Sequence, residues 1–384
     1  MDFPKTADIV IIGGGVMGAS IAFHLASRGT GNIVLLEKEE LFGQGSTGRC
    51  AGGVRYQFGT EINIKLSLAS LPMLERFKDE IGQEIDYRKC GYLLVLTNEN
   101  DVKVFQHNVD LQHKLGVQTK WLNGDDVRKQ VPLMKFNDAI AGTFHQMDGL
   151  VDPNSVVMGY VNAAQKMGVR MLNNTEVRGI DVGGGVVEGV ETNQGLIKTR
   201  LVINAAGPWA GQVGQLAGIH IPIQPIRRQM FTTGSLAGVP QDFPFVIDFA
   251  KSLYFHREGE GLLIGMSNPD QKPAFDQNVD EEWELTNLEA AIERMPMLEN
   301  ANRASHWAGL YEMTPDAHPI YGKTSIDGFL VCAGFSGHGF MHGPVSGKLM
   351  SEYILDGAFS TVDVSTLDIT RFDEGRLIKE YNVV

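Results

Sequence analysis

The stretch "IVIIGGGVMGASIAFHLASRGTGNIVLLEKE", residues 9–39, decides the fold. Its opening run is β-branched and apolar and stops at glycine, as a strand buried in a parallel sheet does. "GVMGASIAFHLASRG" continues with helical spacing, with Ile21, Ala22 and Leu25 on one side and Gly29 as the stop. Between them lies Gly13-x-Gly15-x-x-Gly18. Gly13 suits a tight turn, Gly15 lets a pyrophosphate approach the backbone, and Gly18 lets the helix pack close to the strand. The diphosphate then faces the positive end of the helix. A second strand, "NIVLLEKE", brings Glu37 to where a carboxylate accepts both ribose hydroxyls. Glu37 in place of an arginine argues against a 2′-phosphate and so against NADP. At this point NAD and FAD both fit.

The rest of the chain narrows the function classes. It has 384 residues, 43% hydrophobic and 21% charged, enough for one large or two intergrown domains. Net charge is −13, from 46 acidic and 33 basic residues, which disfavours nucleic acid and anionic lipid as partners. No apolar run approaches the roughly 18 residues of a membrane span. The N-terminal "MDFPKTAD" does not read as a signal peptide. Three scattered cysteines, Cys50, Cys90 and Cys332, fit neither a disulfide framework nor a metal site, and a cytoplasmic location is expected. Cys332, in "GFLVCAGF", reads as a small buried hydrophobe.

After the second strand, an NAD-type fold would continue in βαβ units. Here "LFGQGSTGRCAGGVRYQFG", residues 41–59, follows instead, a loop of small residues suited to an extended cofactor. Its Gly45, Ser46 and Thr47 offer backbone donors and hydroxyls. "TEVRGIDVGGGVVEGVETNQGLIKTRLVINAAGPWA" reads as a meander ending in an apolar strand, returning to the same sheet. "GFLVCAGFSGHGFMHGPVSGKLMSEYIL" is a last strand–turn–helix unit crowded with Gly334, Gly337 and Gly339. A second glycine-rich helix N-terminus aimed at the ligand suits the anionic charge of a reduced flavin, so FAD is the better reading.

These motifs, with "WAGLYEMTPDAHPIYG" and "FSGHGFMHGP", resemble the D-amino-acid-oxidase group of FAD-dependent oxidoreductases over nearly the full length. The resemblance is strongest to the β subunits of sarcosine oxidase and L-proline dehydrogenase and to dimethylglycine dehydrogenase. It implies an α/β fold, a glutathione-reductase-type Rossmann-like FAD domain interleaved with an antiparallel-sheet substrate domain. Residues 1–83, 145–216 and 318–384 would form the first, and 84–144 and 217–317 the second. It also implies oxidation of the C–N bond of a small secondary or tertiary amino acid by hydride transfer to flavin N5, followed by imine hydrolysis. An electron-accepting subunit or a homo-oligomer stays open as partner. A non-catalytic flavoprotein of the same fold, an assembly factor or electron-transfer subunit, is the alternative.

The resemblance also implies site residues. Cofactor contacts are expected from Gly13, Gly15, Val16, Met17 and Gly18, and then from Glu37 and Lys38. Further contacts are expected from Gly45, Ser46, Thr47 and Arg49, and from Val177, Ala205, Ala206 and Gly207. The last turn adds Gly334, Gly337, His338, Gly339, Phe340 and Met341. Arg55 matches the arginine that grips substrate carboxylate in monomeric sarcosine oxidases. Of Arg227 and Arg228, strand alternation turns at most one to the cavity, and the resemblance to the proline dehydrogenase pattern implies Arg228. Tyr254 resembles the active-site tyrosine of the group. Ser252 and His256 share its face, with His256 expected to face solvent. His338 is the first nominee for acid–base work, through a pKa near neutrality.

Two departures point from oxidase toward dehydrogenase: Met341 and Leu263 stand where those oxidases carry lysines. Pro153 and Met313 stand where relatives tether their flavins, so non-covalent FAD is expected. Together, His338, Tyr254 and Arg228 are the expected catalytic residues. Arg55, Arg228, Tyr254 and Met341 are the expected substrate contacts.

Overall fold

A computed structural model describes residues 2–383. Its first sheet has six strands in the order Ile320–Lys323, Phe329–Ala333, Val202–Asn204, Ile9–Ile12, Ile33–Leu36, Arg170–Leu172. All neighbours are parallel except the edge pair Ile320–Lys323 with Phe329–Ala333. Strand alternation sorts its side chains into two cores. Ile9, Ile11, Ile33, Leu35, Ile203 and Cys332 face one way, against the helices Val16–Ser27, Glu61–Glu75, Pro153–Lys166 and Gly339–Asp356. Val10, Ile12, Val34, Leu36, Val202 and Val331 face the other way, with Ile180, Val187, Val190 and Ile197. Those four belong to the meander Val177–Gly183, Val186–Thr192, Gly195–Lys198, which forms its own three-stranded antiparallel sheet. The meander therefore packs across the parallel sheet as a separate layer, and only Val202–Asn204 joins that sheet. Cys332 is fully buried, as its apolar setting requires.

The second sheet has eight strands in the order Arg303–Met313, Gln224–Thr233, Gly261–Met266, Leu253–Glu258, Phe245–Asp248, Tyr92–Leu96, Ala141–His145, Lys120–Asn123. It is antiparallel apart from one parallel pair, Phe245–Asp248 with Tyr92–Leu96. Leu93, Val95, Val246, Phe255 and Phe231 pack on one face with residues of the helix Glu281–Arg294. Tyr92, Leu94, Phe245, Ile247, Tyr254 and Met230 share the other. The period of two thus gathers Tyr92, Phe245 and Tyr254 on the face that meets the first sheet. Among the described residues no helix is long and apolar enough to cross a membrane, and no three His, Cys, Asp or Glu are placed to hold a metal ion.

Candidate functional site

A cavity of about 800 Å³ lies between the carboxyl ends of the parallel strands, marked by Ile12, Leu36 and Ala205, and the aromatic face of the second sheet. Open α/β sheets place their ligands at this edge.

One end is made of backbone. Gly13 has φ +110°, and its N–H donates to the Leu36 carbonyl at 2.8 Å. A Cβ there would lie 2.4 Å from the Ala205 oxygen. The cap residue of the helix Val16–Ser27 that follows, Gly15, offers no side chain, and the first turn holds no acid. Thr47 Oγ1 accepts from the Val16 N–H at 3.2 Å. Glu37 closes the turn: its carboxylate accepts from Gly14 N–H at 2.7 Å and from Glu39 N–H at 2.9 Å. Burial pushes the Glu37 carboxyl above its usual pKa, against the pull of those two donors. Lys38 Nζ sits 3.6 Å from the centre of the Trp209 ring, a cation–π contact on the cavity wall.

A second helix N-terminus reaches the same cavity. Gly337 (φ +98°) turns the chain beneath Tyr311, where a Cβ would lie 2.3 Å from that ring. The helix Gly339–Asp356 then starts with neither an acid in its first turn nor a side-chain cap. Two helix starts free of acids and close-approach glycines fit a long, anionic, flat-ended cofactor such as FAD.

The other end is made of side chains. Arg55 is buried, 7% exposed, and lies over the Phe58 ring at 4.4 Å. Its Nη1 donates to the Gln57 carbonyl at 3.2 Å and its Nη2 to the Asn382 carbonyl at 2.5 Å. Arg228 is half-buried, donates to the Arg227 carbonyl at 3.2 Å, and lies over Tyr311 at 5.1 Å. Its buried Nε has no hydrogen-bond partner, and burial pulls its pKa below the ordinary arginine value. Among the described residues neither guanidinium has a carboxylate in ion-pairing range. Arg227 turns the opposite way and is paired with Asp276 at 2.8 Å and Asp280 at 3.0 Å. Tyr254 closes this end, its ring resting on Gly265, and burial pushes its phenol well above the usual range.

The cavity brings together Gly13, Gly15, Val16, Met17, Glu37, Lys38, Gly45, Ser46, Thr47, Arg49 and Arg55 from the first part of the chain. From the rest come Val177, Ala205, Ala206, Gly207, Arg228, Tyr254, Gly337, His338, Gly339, Phe340 and Met341. Several expectations need correction. Gly18 and Gly334 do not border it. Gly18 faces the strand, where a Cβ would lie 1.9 Å from the Gly13 oxygen, and Gly334 (φ +86°) gives its N–H to Glu312 at 2.9 Å. Leu263 is buried among Met230, Phe245 and Tyr254, which line the cavity, and does not itself border it.

His256 does not face solvent: it is 1% exposed, tilted against Phe245, and burial lowers its pKa to about 4. Ser252 sits in the left-handed region (φ +49°) before the strand begins. Ser46 Oγ donates to Leu310 O at 2.7 Å and Arg49 Nη1 to Ala308 O at 2.9 Å, so both are also engaged by the second sheet. His338 does not keep a near-neutral pKa. Burial, with His342, His318 and Arg55 nearby, holds it well below the usual imidazole value.

Some wall residues gave no or little signal. Glu312, the one acid of the strand Arg303–Met313, lines the cavity, and burial raises its pKa to about 7 against the pull of the Gly334 and Phe335 N–H groups. That isolation was its signal. Cys50 lines it too, and burial raises its thiol to about 11. Asn382 and Val383 carried none, being distant in sequence from every motif.

Comparison with known proteins agrees with this geometry. Mouse sarcosine dehydrogenase is 30% identical over 98% of this chain, and rat dimethylglycine dehydrogenase 30% identical over 97%. The chain spans 43% and 45% of their lengths, less than half of each. The crystal structure of L-proline dehydrogenase from P. horikoshii superposes with a TM-score of 0.90 at 33% identity, over 98% of this chain and all of that one. The pattern of the FAD dependent oxidoreductase family, DAO, matches residues 8–353. With two acid-free helix starts, a glycine cradle and that match in agreement, the chain belongs to the DAO family of FAD-dependent oxidoreductases.

Proposed function

We propose that this chain oxidises the C–N bond of a small secondary or tertiary amino acid of the sarcosine, proline or dimethylglycine type. The observation that carries this is Arg55: a buried cation on the cavity wall, fixed by carbonyls and, among the described residues, unpaired with any acid. A buried charge is costly unless an opposite charge meets it, and a planar guanidinium meets a carboxylate through two parallel hydrogen bonds.

We further propose that residues 1–83, 145–216 and 318–384 hold the cofactor, and that 84–144 and 217–317 shape the substrate end. FAD, when bound, supplies the two-electron acceptor that the oxidation requires. Arg55 binds the substrate carboxylate and Arg228 adds positive charge beside it. Tyr254, Tyr92 and Phe245 exclude water, which strengthens both interactions. His338, held neutral by burial, orients the substrate rather than acting as an acid, and a neutral amine needs no strong base. The product imine is hydrolysed by water. The flavin is non-covalent in this reading: Pro153 and Met313 lie off the wall, and burial keeps the Cys50 thiol protonated. A dehydrogenase is favoured over an oxidase, since the one lysine among the described wall residues, Lys38, is held over Trp209.

Steady-state turnover with an artificial dye as acceptor tests this. Sarcosine, proline or dimethylglycine should support dye reduction faster than oxygen uptake, and dimethylamine and pyrrolidine should support neither. Equal turnover of the amines lacking a carboxylate would contradict it. Acid precipitation should release the flavin into the supernatant.

A further inference from the structure

The segment Glu380–Val383 returns to the cavity from outside every motif, and we propose that it completes the carboxylate end, with Asn382 a positioning residue for Arg55 and Glu380 the latch that holds it. The inference rests on the reading of Arg55 as the substrate's carboxylate partner. Asn382 and Val383 border the cavity, and the Asn382 carbonyl takes one Nη2 hydrogen of Arg55 while the Gln57 carbonyl takes one from Nη1. A guanidinium has five N–H donors, so three remain for an incoming anion. Carbonyl oxygens carry no net charge. They fix the plane of the cation without neutralising it, whereas an acid in the same place would occupy the site as substrate does.

The segment is tied down well beyond what a loose tail needs. The Glu380 carboxylate accepts from Gly59 N–H (2.8 Å), Thr60 N–H (3.1 Å), Thr60 Oγ1 (2.7 Å), Asn63 Nδ2 (3.0 Å) and Asn382 N–H (3.0 Å). It sits at the start of the helix Glu61–Glu75, whose cap Thr60 makes no side-chain capping bond, so the helix dipole favours an acid there. Asn382 accepts from Asn108 Nδ2 at 3.2 Å and donates to the Gln57 carbonyl at 3.4 Å, tying together both acceptors of Arg55. Tyr381 donates to Asp101 at 2.8 Å. Upstream, the fully buried Arg371 forks onto Asp316 at 2.9 and 3.0 Å, and the Asp316 carbonyl accepts from Glu380 N–H at 3.3 Å.

The test uses the full chain loaded with FAD and two aromatic probes that resist oxidation, pyrrole-2-carboxylate and its neutral carboxamide. Binding is read from the flavin absorbance. Glu380→Ala should weaken the carboxylate about 10-fold and the carboxamide less than about 2-fold, with flavin content unchanged. Glu380→Gln, which keeps one acceptor oxygen, should fall between. Asn382→Ala, which leaves the latch in place, should also lower the carboxylate-to-carboxamide preference. If Glu380→Ala fails to fold, the other two carry the test. A wild-type preference retained in full by all the variants that fold overturns the positioning role. Absence of any preference in the wild type overturns the reading of Arg55 and the positioning role with it.

Discussion

The glycine turn at Gly13–Gly18 and the arginine-lined end around Arg55 face one cavity but are built by different means. At the turn, the shape comes from what is missing: Cβ atoms that would lie 2.4 Å from Ala205 O and 1.9 Å from Gly13 O. The contacts offered to a ligand there are backbone N–H groups at a helix start. At the arginine end, four distant parts of the chain converge: residues 55–58, the strand Gln224–Thr233, the strand Leu253–Glu258 and residues 382–383. There the second sheet supplies side chains, and its alternation decides which ones. A backbone site is fixed by local sequence, and a side-chain site by tertiary packing.

Breaking each end separately sharpens that comparison. The largest effect belongs to Gly18→Val, where the added atoms have no room between helix and strand. The purified variant should carry almost no flavin, read as visible absorbance relative to protein. Full flavin content would show that the helix can back away from Gly13.

Arg55→Met should keep its flavin and lose turnover, with kcat/KM for an amino-acid substrate down on the order of 100-fold. Arg228→Met should cost about 10-fold by the same measure, because its charge is only half-buried and less tightly held. A reversed order would move the carboxylate to Arg228.

The smallest effect is a pH dependence at Glu312. Its carboxyl ionises near 4.5 in the unfolded chain and near 7 when buried. Between those values the folded protein holds a proton that the unfolded chain has lost, so stability falls as pH rises through that window. Glu312→Gln should flatten this slope, and thermal melts of both proteins between about pH 5 and pH 8 would show it. Parallel melting curves would mean that Glu312 is not desolvated as described.

The legibility of the sequence follows the same division. Residues 9–39 could be read directly because a strand, three glycines, a helix and a terminal acid each leave a local mark. Strand alternation is local too and allows only one of Arg227 and Arg228 to face the cavity; the resemblance chose Arg228, and the ion pairs of Arg227 with Asp276 and Asp280 lie on the opposite face. Three-dimensional surroundings were not legible. His338 looked like a neutral-range acid–base group until its burial beside His342, His318 and Arg55 was seen. His256 shares the parity of Tyr254 but is enclosed by Phe245 and the neighbouring strands. Asn382 left no trace at all, since nothing in "KEYNV" says where that segment docks.

The central claim is that one cavity joins a flavin cradle to a carboxylate-binding end. Anaerobic titration of the purified, flavin-loaded protein tests it most directly, with absorbance followed as amine is added. The account predicts that sarcosine, proline or dimethylglycine bleaches the flavin, that the matching amine without a carboxylate does not, and that Arg55→Met abolishes the difference. A colourless protein that takes up no FAD, or a bound flavin that no amino acid reduces, would contradict it.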